Sequence, residues 1–100
     1  MTQPSTITCE VRPGTPAVVA IAGDIDPHTA PTLREELEAV DGPVVLDLSG
    51  VAFVDSSGLR VLLEANTRRS DSGGIAIRNP SDVVRRVLDL SGLSDVFADG

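Results

Sequence analysis

The stretch Val44-Val45-Leu46-Asp47-Leu48-Ser49-Gly50-Val51-Ala52-Phe53-Val54-Asp55-Ser56-Ser57-Gly58-Leu59 decides the fold of this chain. Its first five residues form a short, nearly continuous apolar run, the pattern of a buried strand. Ser49-Gly50 interrupts that run, and residues 49–57 are expected to form a loop. From Ser56–Ser57 onward, Leu59, Leu62 and Leu63, with Ala65 or Asn66, recur at helical spacing to about Ser70. A buried strand that feeds a helix through a polar turn is half of a β–α–β unit. Such units imply parallel strands joined by right-handed crossovers.

Reading outward, Ile7, Cys9 and Val11 alternate with Thr8, Glu10 and Arg12, the period of a half-buried edge strand. Pro13-Gly14-Thr15-Pro16 is turn chemistry, and Ala17–Ala22 is an apolar run, so the first two strands read as a hairpin. Ala30, Leu33, Leu37 and Val40 define a helix from Thr29 to Val40, with Thr29 as expected N-cap and Pro31 in the first turn. Gly73-Gly74 ends the second helix, and Ile75-Ala76-Ile77 is a fourth strand. Ser81 is expected to cap a third helix burying Val83, Val84, Val87 and Leu88, with Gly92 at its C′ position. Arg60, Glu64 and Arg68 stand four apart and are expected to pair along the outer face of the second helix. The predicted order is β-β-α-β-α-β-α. It describes one α/β domain over residues 1–100, a single mixed, largely parallel sheet of four to five strands with helices packed on it.

Composition narrows the function. Fifteen acidic residues face eight basic ones, all arginine, for a net charge of −7. Such a surface repels phosphate backbones and anionic lipid, so neither nucleic acid nor membrane is an expected partner. Phe53 and Phe97 are the only aromatic residues, too few to stack bases. Cys9 is the only cysteine; it forms no intrachain disulfide and reads as a small buried hydrophobe on a strand. No apolar run approaches the roughly 20 residues of a membrane span, and Met1–Ser5 lacks the features of a signal peptide. A cytoplasmic protein is expected.

In a parallel sheet the loops leaving the strand carboxyl ends gather along one edge, where ligands usually bind. Here they are residues 23–29, 49–57 and 79–81. In structural terms, Asp55-Ser56-Ser57-Gly58 is a capped helix start. In functional terms it is a place where a phosphate on Ser56 would meet helix N–H groups and the positive end of the dipole. An enzyme would need Ser56 as nucleophile, His28 as base and Asp26 or Asp55 to orient it. The Gly-x-Ser-x-Gly elbow is absent and the surround is acidic, which disfavours an oxyanion, so no catalytic residue is assigned. No metal is expected at Asp26 and Asp55, which lack a histidine at ligand spacing, and the lysine-free chain holds no phosphate-binding loop for a nucleotide cofactor.

The run from Leu46 to Leu59 resembles the signature of STAS domains, specifically the bacterial anti-sigma factor antagonists. Gly23-Asp24-Ile25-Asp26-Pro27-His28-Thr29-Ala30 and Leu90-Ser91-Gly92-Leu93 resemble two further family segments in order and spacing. The resemblance implies a partner-switching cycle. The unphosphorylated protein binds an anti-sigma factor and frees its sigma factor. That anti-sigma factor, commonly also a serine kinase using ATP and Mg²⁺, phosphorylates the antagonist and releases it, and a phosphatase resets the system. By position Ser56 matches the phosphorylated serine, and Asp26 an acidic residue of the same surface. Asp26, His28, Asp55, Ser56, Ser57 and Gly58 are the expected partner-binding residues, with Asp26 expected to be exposed. An accessory role in a membrane transport or larger signalling complex is the alternative. Family members usually continue past the third helix with a strand and a final helix. The seven residues from Ser94 to Gly100 have room only for the strand, and a missing helix would expose apolar surface at which the chain could dimerise.

Overall fold

In the computed structural model the described residues are 6–100. Five strands form one sheet: β1 (Ile7–Arg12), β2 (Ala17–Ile25), β3 (Val44–Val54), β4 (Ile75–Arg78) and β5 (Ala98–Asp99). They lie in the order of the chain, with β1 antiparallel to β2 and every other neighbouring pair parallel. Three helices intervene: α1 (Ala30–Glu38), α2 (Ser56–Arg68) and α3 (Asp82–Leu90). The mixed, mostly parallel α/β sheet is the expected architecture, and β5 completes it.

The central strand departs from the expectation. Residues 49–54 are not a loop but the second half of β3, which runs for 11 residues. Ala20 pairs with Asp47 and Ala22 with Gly50, so β3 uses three residues where β2 uses two. Between Val51 and Phe53, opposite Gly23 and Asp24, β3 inserts another. Each extra residue is a β-bulge and flips the inward parity by one. The strand residues that join the core cluster are therefore Val44, Leu46 and Leu48, then Val51, then Val54, while Val45 is buried outside that cluster. A period of two that changes to three resembles a loop in sequence. Asp47 closes the first bulge by accepting the Ser49 N–H at 3.0 Å and its hydroxyl at 2.7 Å. These two bonds, the backbone one foremost, hold the Asp47 carboxyl below its usual pKa.

The inward residues of β2, Val19, Ile21 and Ile25, join those of β3 and β4. Leu33 and Leu37 of α1, Leu59, Val61, Leu62 and Ala65 of α2, and Val84 and Leu88 of α3 complete one continuous cluster. Leu63, Val83 and Val87 are only partly buried at its margin. Asn66 takes a different role: its Oδ1 accepts the Ile75 N–H at 2.7 Å and ties α2 to β4. Cys9 is half-buried, and burial, followed by the charge of Glu36, raises its thiol pKa.

The ends of α2 and α3 obey local rules. Ser81 caps α3 by accepting the Val84 N–H, while its hydroxyl donates to Val51 O at 2.7 Å. At the far end Gly92 takes a left-handed φ of 70°, with Leu93 N–H bonded to Leu88 O and Gly92 N–H to Asp89 O. That is the Schellman arrangement. Arg69, just past α2, donates its guanidinium to the carbonyls of Leu37 and Val40, which locks the end of α1 to the end of α2. Burial, and then the charge of Arg68, lower its pKa.

The core assignment predicts a sharp contrast between two leucines. Leu62 is 1% exposed and Leu90 is 81% exposed. Leu62→Ala is expected to lose roughly 2–5 kcal/mol in urea unfolding, whereas Leu90→Ala is expected to change stability by less than about 0.5 kcal/mol.

Candidate functional site

β2 and β3 end level with each other: Ile25 pairs with Val54, and the Asp55 N–H donates to Ile25 O at 3.1 Å. Each strand is followed at once by an aspartate that starts a helix. Asp55 Oδ1 accepts the N–H groups of Ser57 at 2.9 Å and Gly58 at 3.3 Å, so Asp55 is the N-cap of α2. Asp26 Oδ1 accepts the N–H groups of His28 at 2.9 Å and Thr29 at 3.1 Å. In return the Asp26 N–H donates to Thr29 Oγ1 at 3.0 Å. This reciprocal pair is built like a capping box, with Pro27 in the position where a missing N–H costs nothing.

Thr29 holds the expected N-cap position of α1, but the side chain that accepts backbone N–H groups here is Asp26, in the turn leading into the helix. Thr29 makes no side-chain cap; it is 3% exposed, and its hydroxyl donates to Asp24 O at 2.6 Å. Asp26 is likewise half-buried rather than exposed, because its carboxylate holds this turn together.

The first turn of α2 sorts the remaining site residues. Ser56 is exposed at the first helical position, and its hydroxyl makes no hydrogen bond among the described residues. Ser57 is half-buried one position further in. Gly58 is buried: a Cβ there would stand 2.5 Å from Ile25 Cγ2 and 2.9 Å from Val54 Cγ2. Its contribution to the surface is to let α2 start close against the two strand ends. His28 is exposed, and no hydrogen bond joins it to Ser56. Two helix N-termini thus converge on one edge of the sheet, with Ser56 between them.

Around this edge lie residues that sequence reasoning placed elsewhere. Arg60 does not pair with Glu64; instead Arg34 of α1 holds Glu64 at 3.2 Å, and Arg68 holds Glu38 of α1 at 3.0 Å. The ion pairs cross between helices because α1 and α2 pack side by side, a contact that spacing within one helix cannot reveal. A concavity of about 280 Å³ between the two helix starts is lined by Arg34, Ser56, Ser57 and Arg60, with Pro27 and Pro31. A second, apolar groove of about 650 Å³ leads from Ser56 along α2 past Leu59 and Leu63 to Leu93. Phe53, 46% exposed near the end of β3, is an exposed apolar side chain just before Val54-Asp55 in the chain. Only its rarity as one of two aromatic residues could have marked it in sequence.

Residues 10–98 match the family described as "Mlab, STAS domain". The chain belongs to the STAS domain family. This STAS domain is 35% identical over 102 residues to the anti-sigma-F factor antagonist RsfB of Mycobacterium tuberculosis, covering 97% of this chain and 84% of that protein. It is 35% identical over 84 residues to the anti-sigma-B factor antagonist of Listeria monocytogenes, covering 79% and 74% respectively. Among solved structures, an anti-sigma factor antagonist from Mycobacterium paratuberculosis superposes with a TM-score of 0.85 and 31% identity, over 97% of this chain and 87% of that one. The antagonist SpoIIAA in its unphosphorylated form shares the fold at a TM-score of 0.75 and 23% identity, over 95% and 88%. Among the described residues of this STAS domain, no helix is long and apolar enough to cross a membrane.

Because the Asp26 carboxylate holds the turn that leads into α1, Asp26→Ala is expected to cost about 1 kcal/mol and lower the melting temperature, measured by thermal unfolding. Gly58→Ala is expected to cost roughly 1–3 kcal/mol, since the new methyl must displace Ile25 and Val54.

Proposed function

We propose that this STAS domain is a cytoplasmic anti-sigma factor antagonist whose partner choice is switched by phosphorylation of Ser56. The observation that carries the reading is an exposed, unbonded serine hydroxyl at the first turn of α2, in a chain 35% identical over nearly its whole length to an anti-sigma-F factor antagonist. In the unphosphorylated state Asp26, Asp55, Ser56 and Ser57, with His28 beside them, meet an anti-sigma factor of the serine-kinase type, and its sigma factor is released. Gly58 supports that surface from beneath, and Phe53 supplies an apolar anchor.

The switch follows from chemistry at one oxygen. Ser56 Oγ attacks the γ-phosphorus of Mg²⁺-bound ATP, the bond to the β,γ-bridging oxygen breaks, and the hydroxyl proton is lost as ADP leaves. The product carries about −1.5 to −2 charges where there were none. The α2 N-terminus and its dipole tolerate that charge, so the domain stays folded while docking fails. A phosphatase hydrolyses the ester and restores the hydroxyl. The chain supplies the acceptor, and the catalytic groups belong to the partners.

Titration calorimetry with the cognate anti-sigma factor tests this. Ser56→Ala is expected to bind as the unphosphorylated wild type does and to take up no phosphate. Ser56→Asp is expected to stay folded and bind at least about tenfold more weakly, a loss of about 1.4 kcal/mol. Ser57→Ala is expected to keep its phosphorylation on Ser56, mapped by mass spectrometry, and its helix cap, because Asp55 is the cap. Equal affinity for Ser56→Asp and wild type, or phosphate found on Ser57, would overturn the assignment.

A further inference from the structure

Among the described residues Arg60 forms neither an ion pair nor a hydrogen bond, although it is one of only eight cations in an acidic chain. It stands four residues after Ser56 in the same helix, so their Cβ atoms lie about 5–6 Å apart on one face. Arg34 approaches the same concavity from α1, and both arginines line it together with Ser56 and Ser57. The space, about 280 Å³, is large enough for a phosphoryl group and a few waters at about 30 Å³ each.

We propose that Arg60 and Arg34 form an intramolecular receiver for the phosphoryl group of phospho-Ser56, with Arg34 exchanging its Glu64 partner for the phosphate. The inference rests on the phosphorylation reading above and extends it, because it assigns the fate of the added charge. The exchange is favourable on simple grounds. The Arg34–Glu64 pair is about 40% and 45% exposed on its two sides, and such pairs contribute little to stability. A phosphate offers three acceptor oxygens and about twice the charge of a carboxylate, and a guanidinium can bind it through two parallel N–H groups. Arg60 has nothing to give up. Phosphorylation therefore adds an anion and also withdraws two cations from the surface that a partner meets.

Asp55 and Glu64 on α2 and Asp26 in the turn before α1 oppose a dianion, while Arg60 and Arg34, which line the concavity, favour it. Asp55 and Asp26 already accept helix N–H groups, which offsets their charge.

The experiment uses the full chain with phosphoserine incorporated genetically at position 56, so it needs neither kinase nor anti-sigma factor. Phosphorus NMR follows the second ionisation of the phosphate with pH, against a phosphoserine peptide of residues 53–59, which ends before Arg60. A cation beside the ester favours the dianion, so the folded protein is expected to titrate about half a unit or more below the peptide. Arg60→Gln and Arg34→Gln are each expected to move the midpoint back up, and the double variant to remove most of the shift. The helix N-terminus is common to all variants and cancels. Arg60→Lys is expected to keep part of the shift, since a point charge remains without the paired donors. Thermal unfolding checks that the variants stay folded, as expected of exposed or half-exposed side chains. A midpoint that is the same in wild type and in the double variant would overturn the receiver. That outcome would leave the calorimetric test of the switch untouched, and failure of the switch would leave this titration untouched.

Discussion

Everything at the site depends on β2 and β3 ending side by side, with Ile25 level with Val54. β3 reaches that level only because it inserts two extra residues opposite β2. Once the ends are level, two aspartates are placed to turn two strands into two helices, and the N-termini of α1 and α2 open at the same edge. Each such terminus carries the equivalent of about half a positive charge and unsatisfied N–H groups. An edge of this kind holds carboxylates comfortably, which is why two aspartates can sit together in a strongly acidic chain.

The same arrangement combines an exposed serine hydroxyl with a well-tied backbone. Asp26 and Asp55 each have one oxygen committed to helix N–H groups, so they organise the backbone that presents Ser56. Ser56 itself makes no such bond and can be altered without removing a cap. The buried Gly58 allows α2 to start directly over Ile25 and Val54, and any side chain there would push Ser56 outward. The hydroxyl is free because its neighbours carry the structural work.

Charge is distributed with similar economy. Arg34–Glu64 and Arg68–Glu38 run between α1 and α2, and Arg69 reaches the carbonyls at the end of α1. Exposed ion pairs contribute about 0–1 kcal/mol each, so the two pairs set the register of the helices more than they hold the fold. Arg69 is the stronger tie, since its donors satisfy carbonyls that a helix end leaves unpaired. Among the described residues Arg60, Arg85 and Arg86 form no ion pair, and of these Arg60 is the one on the helix face of Ser56.

The sequence by itself determined the order of elements, because hydrophobic period and helix-capping chemistry are local. Ser81 and Gly92 sit at the ends of α3 as Ser and Gly should, and the Leu59, Leu62 and Ala65 face of α2 is buried as its spacing requires. The family segments around Asp26, Ser56 and Leu93 were legible for the same reason. Three features were decided only in three dimensions. Residues 49–54 belong to a strand, because pairing with β2 absorbs two extra residues that break the period of two. At the start of α1 Thr29 stands at the N-cap but the N–H groups are accepted by the Asp26 carboxylate, because the Thr29 hydroxyl is drawn to the Asp24 carbonyl. Glu64 and Arg68 pair with α1 rather than with Arg60, because charges four apart on one helix compete with those of a neighbour packed against it. A local pattern names the candidates for each bond, and the choice among them falls to whichever partner the packing brings closest.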